Sequence, residues 1–297
     1  MAVFQEPALT DCRPPLAEIQ TPQHALPKGA WDCHCHVFGP VARFPFAADR
    51  RYTPPDAPYE RLAALHQALG IARAVIVQAA CHGTDHGALL AAIAASGGHY
   101  RGVGLLAPDA DRETVAQLHA GGIRGVRFNF VKHLGEPPEP TVVERIADLV
   151  ASFGWHVAVH LDGASLRDWL PLLQRLPVPF VIDHMARVRA SDGPDHPDVR
   201  ALCDLGDISN AWVKVSGVDR IASGTRPFAE GVPVMRAILA ALPERTLWGT
   251  DWPHPNVSGD MPDDGELVDT FFNACPDAAL RQQVLVDNPN RLFGKED

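Results

Sequence analysis

The most constraining feature of the chain is a regular alternation of short apolar runs and amphipathic segments along its 297 residues. Eight runs rich in β-branched and apolar residues predict buried strands, from AWDCHCHV and ARAVIVQAA near the start to AWVKVSG and RTLWGTD near the end. Helix candidates such as YERLAALHQALG and TVVERIADLVASFG separate them and end in glycine, which is typical of a helix C-terminus. About eight strand–helix units in one pass predict an α/β fold, a TIM (β/α)8 barrel.

The domain organisation follows from the same pattern. Residues 1–29 are rich in proline and polar residues and lack periodicity, which predicts an N-terminal arm. Residues 30–297 are predicted to form one barrel domain. The alternative is a doubly wound open sheet, but that fold requires a glycine-rich phosphate-binding turn after its first strand, and the sequence has none there.

Charge and composition limit the classes of molecule that the chain can be expected to bind. A formal net charge of -10, from 26 basic and 36 acidic residues, argues against nucleic acid and anionic membranes as partners. A few local arginines could still bind a small anion. No apolar run reaches the roughly 20 residues of a membrane span, and no secretory signal is visible. The six scattered cysteines predict reduced thiols and a cytoplasmic location. We expect a monomer or a small homo-oligomer.

The stretch WDCHCHV carries the first candidate site residues. Side chains alternate faces along a strand, so Asp32, His34 and His36 are expected to share one face. Cys33 and Cys35 should share the other and pack as small apolar residues. Four adjacent residues of one strand cannot converge on a single ion, which excludes a Cys2His2 zinc knot.

Other predicted strands also end in residues that carry chemistry. In a parallel barrel these ends meet on one face, so we expect the side chains to converge there. The set is His34, His36, Arg127, His160, His184 and Asp251. Two mechanisms remain open. In one, a metal held by His34, His36 and Asp251, with His160 or His184, activates water. In the other, Asp251 acts as the general base and the histidines and Arg127 stabilise an oxyanion.

The positions of three further residues can also be predicted. Lys214, in AWVKVSG, is expected to point into the site or to form a buried ion pair with a neighbouring carboxylate. His254 lies between two prolines and is expected to help to orient Asp251. His66 falls on a helix and is expected at the surface.

The motifs DCHCHVFGP, VIVQAACHGTD, GIRGVRFNF, VIDHM and WGTDWPHPN together resemble the amidohydrolase superfamily, and within it the 2-pyrone-4,6-dicarboxylate lactonases. They are distributed over most of residues 30–293. The resemblance implies a distorted barrel and hydrolysis of an anionic cyclic ester in aromatic catabolism, without a required metal. It assigns the base to Asp251 and places His34, His36 and His184 around the lactone carbonyl and the water.

The resemblance also implies which residues hold the substrate. Arg127, Tyr52 and Arg220 would bind its carboxylates, and His133 with Lys132 would lie near the second of them. Three positions depart from the lactonase pattern: Ala80 replaces a serine, His133 an arginine and His160 a tyrosine.

The histidine at position 160 keeps alternatives open. Metal-binding members of the superfamily use histidine there, and 4-sulfomuconolactone hydrolases can be zinc enzymes. A lactonase that uses one Zn²⁺ and acts on a muconolactone or sugar lactone is therefore the second hypothesis. A decarboxylase or hydratase of the same superfamily is the third.

Overall fold

The computed structural model describes residues 10–294. Its centre is a sheet of eight parallel strands: β2 (Trp31–Cys35), β4 (Arg73–Val77), β5 (Tyr100–Gly104), β6 (Ile123–Asn129), β7 (His156–His160), β8 (Phe180–Ile182), β9 (Ala211–Lys214) and β10 (Thr246–Leu247). Each strand pairs with the next one in this series. Two further strands, β1 (Thr10–Asp11) and β3 (Tyr52–Thr53), pair with each other in parallel.

Helices cover the outside of this sheet. They are α1 (Tyr59–Leu69), α2 (Gly87–Ala95), α3 (Arg112–Ala120), α4 (Pro140–Ala151), α5 (Gly163–Leu173), α6 (Pro197–Cys203), α7 (Val218–Ile221), α8 (Val232–Ala241), α9 (Asp264–Ala274), α10 (Ala278–Gln282) and α11 (Asn288–Phe293). The predicted α/β barrel is confirmed, and all eight predicted strands are present. The sequence analysis missed α7 and α9. Helix α9 begins at an aspartate cap, Asp263, which accepts hydrogen bonds from the backbone of Gly265 and Glu266.

The sheet closes into a barrel through backbone bonds between β2 and the segment that follows β10. The nitrogen of Cys33 donates to Trp248 at 2.9 Å, that of Asp251 to His34 at 2.7 Å, and that of His36 to Trp252 at 2.7 Å. These three bonds hold Asp251 beside the first strand of the barrel. The first and last catalytic candidates in the sequence are therefore neighbours in space.

A β-bulge in β2 corrects one sequence prediction. Asp32 pairs with Ala74 and Cys35 with Ile76, so Cys33 and His34 together oppose the single residue Val75. The strict alternation predicted for Asp32, His34 and His36 is therefore wrong. Cys33 packs in a small apolar cluster inside the barrel, whereas Cys35 belongs to the large core between sheet and helices. Both cysteines are buried, as predicted, but they do not share a face.

Asp32 holds this bulge in place from the helix side. Its carboxylate accepts from the backbone nitrogens of His34 and Thr250, both at 3.0 Å, and from the Thr250 hydroxyl at 2.6 Å. His66 of α1 lies 3.2 Å from it through Nε2 and bonds the Tyr100 hydroxyl through Nδ1. The surface position expected for His66 is wrong, since its side chain is buried. One carboxylate thus links β2, the segment that follows β10 and helix α1.

The N-terminal arm is described from residue 10 onward, and its prediction for residues 1–9 lies outside the described residues. Residues 12–30 contain no helix or strand. The backbone nitrogens of Gln20 and Gln23 donate to the carboxylates of Asp263 and Asp269, which attaches this segment to α9 and its cap. Within residues 10–294, no helix has the length and apolar character that crossing a membrane requires.

Candidate active site

A pocket opens among the loops that follow the barrel strands. This is the face of a (β/α)8 barrel on which catalytic groups collect. Its lining combines histidines, arginines and one ionised carboxylate: His36, Tyr52, Arg127, His133, Leu134, His160, His184, Arg187, Arg220, Asp251, Pro255 and Asn256. Eight of the ten predicted catalytic and substrate-binding residues, Tyr52 among them, line this pocket. The two that do not are His34 and Lys132.

Asp251 lies at the floor and engages different groups with its two carboxylate oxygens. Arg220 donates from Nε and Nη2 to Oδ2, at 3.1 and 2.8 Å. Oδ1 faces the histidines, with Nε2 of His36 at 3.2 Å and Nε2 of His184 at 3.7 Å. Burial acts to raise the pKa of Asp251, but His184, Arg220 and the bond from His36 outweigh it and hold the pKa well below its usual range. The carboxylate is therefore ionised and has one oxygen oriented toward the pocket.

His36 has a defined orientation. Its Nδ1 lies 2.7 Å from the carbonyl oxygen of Val77, which can only accept, so Nδ1 carries a proton. Its Nε2 then faces Oδ1 of Asp251. Two acceptors at 3.2 Å attract each other only when a second proton or another cation lies between them. This pair is the part of the site best suited to exchange a proton with a water molecule.

His184 follows β8 in a turn of unusual backbone geometry. Residues 184–187 all have positive φ, between 49° and 52°, which L-residues rarely adopt in succession. The turn points the imidazole into the pocket, where Nδ1 lies 3.0 Å from the hydroxyl of Ser216. Gly217 is required beside it, because a Cβ there would come within 2.7 Å of Nδ1 of His184. Burial lowers the pKa of His184 to about 4, although the nearby carboxylates oppose the shift.

Arg127 is fixed from behind by an aspartate that the sequence analysis did not select. Nε of Arg127 donates to Oδ2 of Asp183 at 2.8 Å, and Lys214 lies 3.0 Å from Oδ1 of the same carboxylate. Burial acts to raise the pKa of Asp183, but Lys214, His34 and Arg127 hold it well below the usual range. The buried ion pair expected for Lys214 is confirmed. The position of Asp183 directly before His184 was the available signal.

The remaining candidates differ in how close they are to this centre. His160 is buried in the wall, its Nδ1 lies 3.2 Å from Oδ1 of Asn129, and burial followed by the charge of Arg127 lowers its pKa well below the usual range. His133 lies at the rim with its ring centroid 6.2 Å from that of His160. Tyr52 is buried in the wall, and Lys132 is exposed outside the pocket.

Two further residues line the pocket that the sequence analysis did not predict as site residues. Arg187, which the sequence analysis did not select, lines the pocket while its Nε donates to Asp162 at 3.1 Å. Asn256, which follows the DWPHP stretch, was not selected. His254 lies behind the pocket, with Nε2 3.2 Å from Asp264 and its backbone nitrogen bonded to the carbonyl of Asp251. That contact fits the expected role of His254 in orienting Asp251.

Three side chains, Asp251 among them, offer donor atoms that could bind a metal ion. One ligand atom from each of His34, His36 and Asp251 lies within 4.8 Å of the others, which suits a single ion. Neither His160 nor His184 belongs to this group. The fit is incomplete in one respect. Nδ1 of His34 accepts from Lys214 at 3.1 Å, which leaves the ring proton on Nε2, the atom nearest Asp251.

The barrel and this cluster of histidines, arginines and an ionised aspartate define a hydrolase-type (β/α)8 enzyme site. The family model described as Amidohydrolase matches residues 31–295. The chain belongs to the amidohydrolase family. Its predicted membership of that superfamily is thereby confirmed.

Two similar relatives are named as lactone hydrolases. The chain is 43% identical over 291 residues to the 2-pyrone-4,6-dicarboxylate hydrolase of Comamonas testosteroni, covering 95% of each chain. It is 36% identical to the 4-sulfomuconolactone hydrolase of Hydrogenophaga intermedia, covering 96% of this chain and 95% of that protein. These similarities confirm the predicted lactonase resemblance at the level of the family.

Solved structures agree on the fold. A crystal structure from Agrobacterium tumefaciens superposes with a TM-score of 0.81 at 32% identity, covering 93% of this chain and 99% of that one. A zinc-bound amidohydrolase from Burkholderia multivorans gives 0.72 at 21% identity, covering 92% and 100%. The second comparison shows that this fold occurs with zinc in another protein.

Proposed function

We propose that the chain is a lactonase that opens a flat, di-anionic lactone of aromatic catabolism, with 2-pyrone-4,6-dicarboxylate as the first candidate. The observation that carries this proposal is the charge of the pocket, where three arginines, Arg127, Arg187 and Arg220, surround a single ionised carboxylate. Planar guanidinium groups bind carboxylates in paired contacts. The similarity to the Comamonas hydrolase supports the choice of this ring.

Asp251 is the proposed base. Water bound near its Oδ1 attacks the lactone carbonyl while the proton moves to Asp251, so a C–O bond forms and the carbonyl becomes an oxyanion. Nε2 of His36, which faces Oδ1, is proposed to accept from the water and orient it, and Nε2 of His184 is proposed to donate to that oxyanion. When the ring C–O bond breaks, the proton goes from Asp251 to the ring oxygen as it leaves. Water and 2-pyrone-4,6-dicarboxylate thus give an open-chain product with three carboxyl groups, two from the substrate and one new, and with an enol hydroxyl at the former ring oxygen.

Substrate recognition is proposed to use the outer part of the pocket. Arg127 and Tyr52 would hold one carboxylate, and Arg187, with His133 at the rim, would hold the second. Arg220 bonds Asp251, so its proposed role is divided between the base and the substrate. His160 would contact the ester from the wall. Lys132, exposed next to His133, would act only through its charge.

A zinc-dependent lactonase is the second candidate. The observation in its favour is the pair of acceptors formed by His36 and Asp251, together with the spacing of His34. These three residues would hold the ion, with His160 or His184 as a further ligand after a local shift. Bound zinc would lower the pKa of a water molecule toward neutrality. The substrate class in that case includes muconolactones and sugar lactones.

Chelator treatment separates the two candidates. We expect protein washed with a chelator to remove the ultraviolet absorbance of 2-pyrone-4,6-dicarboxylate at the same rate as untreated protein. The physical reason is that Asp251 and the imidazoles already supply a base and donors. Loss of the rate after washing, with recovery on adding zinc, would instead favour the second candidate. Release of bicarbonate from the substrate would point to a decarboxylase.

The pH dependence follows from the His184–Asp251 pair. We expect kcat/KM to be flat through neutral pH and to fall below about pH 4, because His184 is neutral above that value and protonation weakens the neighbouring base.

The free energy of unfolding is expected to change with pH in the same direction. The unfolded chain protonates this histidine at higher pH than the folded chain, so stability is also lost as the pH falls from about 6.5 toward 4. Circular dichroism at each pH separates unfolding from titration. An acid limb near pH 6.5 with the fold intact would contradict the assignment.

The setting of the enzyme is part of the same proposal. All six cysteines are free thiols, which supports a cytoplasmic location. The substrate is the proposed small-molecule partner, and the oligomeric state stays a prediction between a monomer and a small homo-oligomer.

A further inference from the structure

A fully buried lysine lies beneath the floor of the pocket. Lys214 ends β9, and its side chain has no exposed surface. Its Nζ is 3.0 Å from Oδ1 of Asp183 and 3.1 Å from Nδ1 of His34. Asp183 provides the opposite charge that a buried ammonium requires. The contact with the imidazole of His34 is therefore not needed to balance the charge of Lys214.

That contact determines where His34 carries its proton. An ammonium group donates and cannot accept, so Nδ1 of His34 must accept from Lys214. A positive charge on the ring would lie 3.1 Å from the ammonium group of Lys214 and would be repelled by it, so the ring is neutral in this arrangement. A neutral imidazole has one proton, and here it lies on Nε2. Oδ1 of Asp183, 3.4 Å from Nδ1, would favour the opposite arrangement if Lys214 were absent.

The proton on Nε2 matters because of what that atom faces. Nε2 of His34 is 3.7 Å from Oδ1 of Asp251 and has no hydrogen-bond partner within residues 10–294. An N–H group in this position attracts the carboxylate and favours its ionised form. A lone pair would repel the carboxylate, but it could coordinate a metal ion. The two tautomers of His34 therefore favour two different kinds of site.

We propose that Lys214 is a positioning residue that holds His34 in the Nε2–H tautomer, and thereby keeps the Asp251 site in a form that does not use His34 as a zinc ligand. The kinetic consequence rests on the proposed lactone hydrolysis. The tautomer and the affinity for zinc do not depend on it, so either part can fail separately.

The direct test is the tautomer of His34 itself. Protein labelled with ¹⁵N at histidine is examined by two-bond proton–nitrogen correlation, and the His34 signals are assigned by their loss in His34→Gln. We expect Nε2–H in the wild type and in Lys28→Met, a matched control that removes an exposed lysine. We expect Nδ1–H in Lys214→Met. Arg127 still neutralises Asp183 in that variant, which should preserve the fold.

Two further readouts follow from the same change. Competition with a chromogenic chelator should show zinc binding about 10- to 100-fold more tightly to Lys214→Met than to the wild type, the usual size of effects from groups that orient a ligand. For the pyrone, kcat should fall about 10- to 100-fold with KM nearly unchanged. Lys214→Arg, which keeps donors without acceptors, should retain the wild-type tautomer.

Several results would overturn the proposal. Nδ1–H at His34 in the wild-type protein would do so without any variant, and so covers the case in which Lys214→Met does not fold. A folded Lys214→Met with an unchanged tautomer, or with unchanged affinity for zinc, would also contradict it. A wild type that has Nε2–H but does not hydrolyse the pyrone would reject the proposed substrate and leave the role of Lys214 intact.

Discussion

Replacing Asp251 by asparagine is expected to lower kcat for lactone hydrolysis by about 10²- to 10⁴-fold, the usual contribution of a general base. The amide keeps the size of the side chain but cannot take a proton from water. It also cannot serve as the anionic partner that Arg220 has at 2.8 Å in the present structure. Initial rates of pyrone loss at saturating substrate measure the effect.

The control for this experiment is Asp207→Asn, which removes an exposed carboxylate just before β9, at the opposite end of the barrel. Its kcat should equal that of the wild type. A folded Asp251→Asn protein that keeps its full rate would show that another group deprotonates the water. In that case the neutral imidazole of His184 would be the next group to test.

Replacing Asp32 by asparagine is expected to lower the free energy of unfolding by about 3 kcal/mol, which is typical when a buried carboxylate loses its donors. Four donors converge on this carboxylate, from His34, His66 and twice from Thr250. An amide group replaces one accepting oxygen with a donor, so at least one buried donor loses its partner. Urea denaturation at neutral pH measures the change.

Thr250→Val provides the matched comparison. It removes the hydroxyl that donates to Asp32 and accepts from the backbone nitrogen of Trp252 at 3.0 Å, and should cost about 1 to 2 kcal/mol, the usual net value of two hydrogen bonds. If both variants lost the same amount, Asp32 would matter only through Thr250. Retention of wild-type stability in Asp32→Asn would mean that the carboxylate does not secure the closure of the barrel.

Much of the barrel and of the pocket could be predicted from the sequence, because both depend on local patterns. Apolar runs of strand length located all eight strands. Since parallel strands end on one face, the residues at their ends, such as Arg127 and His160, could be predicted to converge. The pairing of Asp183 with Arg127 and Lys214 could not be predicted, because it depends on which side chains neighbouring strands present at the same depth.

The bulge in β2 could not be predicted from the sequence for a similar reason. A strand read alone predicts alternation, and the departure at Cys33 and His34 depends on Asp32 accepting hydrogen bonds from a segment more than 200 residues away in sequence, including Thr250. The buried position of His66 has the same origin. Its partners, Asp32 and Tyr100, lie on two different strands. Such distant partners leave no periodic signal in the sequence.

The left-handed turn at residues 184–187 limits which amino acids this segment can accept. Met185 and Ala186 do not line the pocket, yet each has a positive φ. β-branched residues are strongly disfavoured at such φ values, whereas glycine and asparagine adopt them readily. A mutational library that varies Met185 would therefore be depleted of valine and isoleucine, even though both are apolar and no larger than methionine. At the fully buried Ala186 their added volume would disfavour them as well. Selection at these positions would act on backbone conformation, and the orientation of His184 would be what is retained.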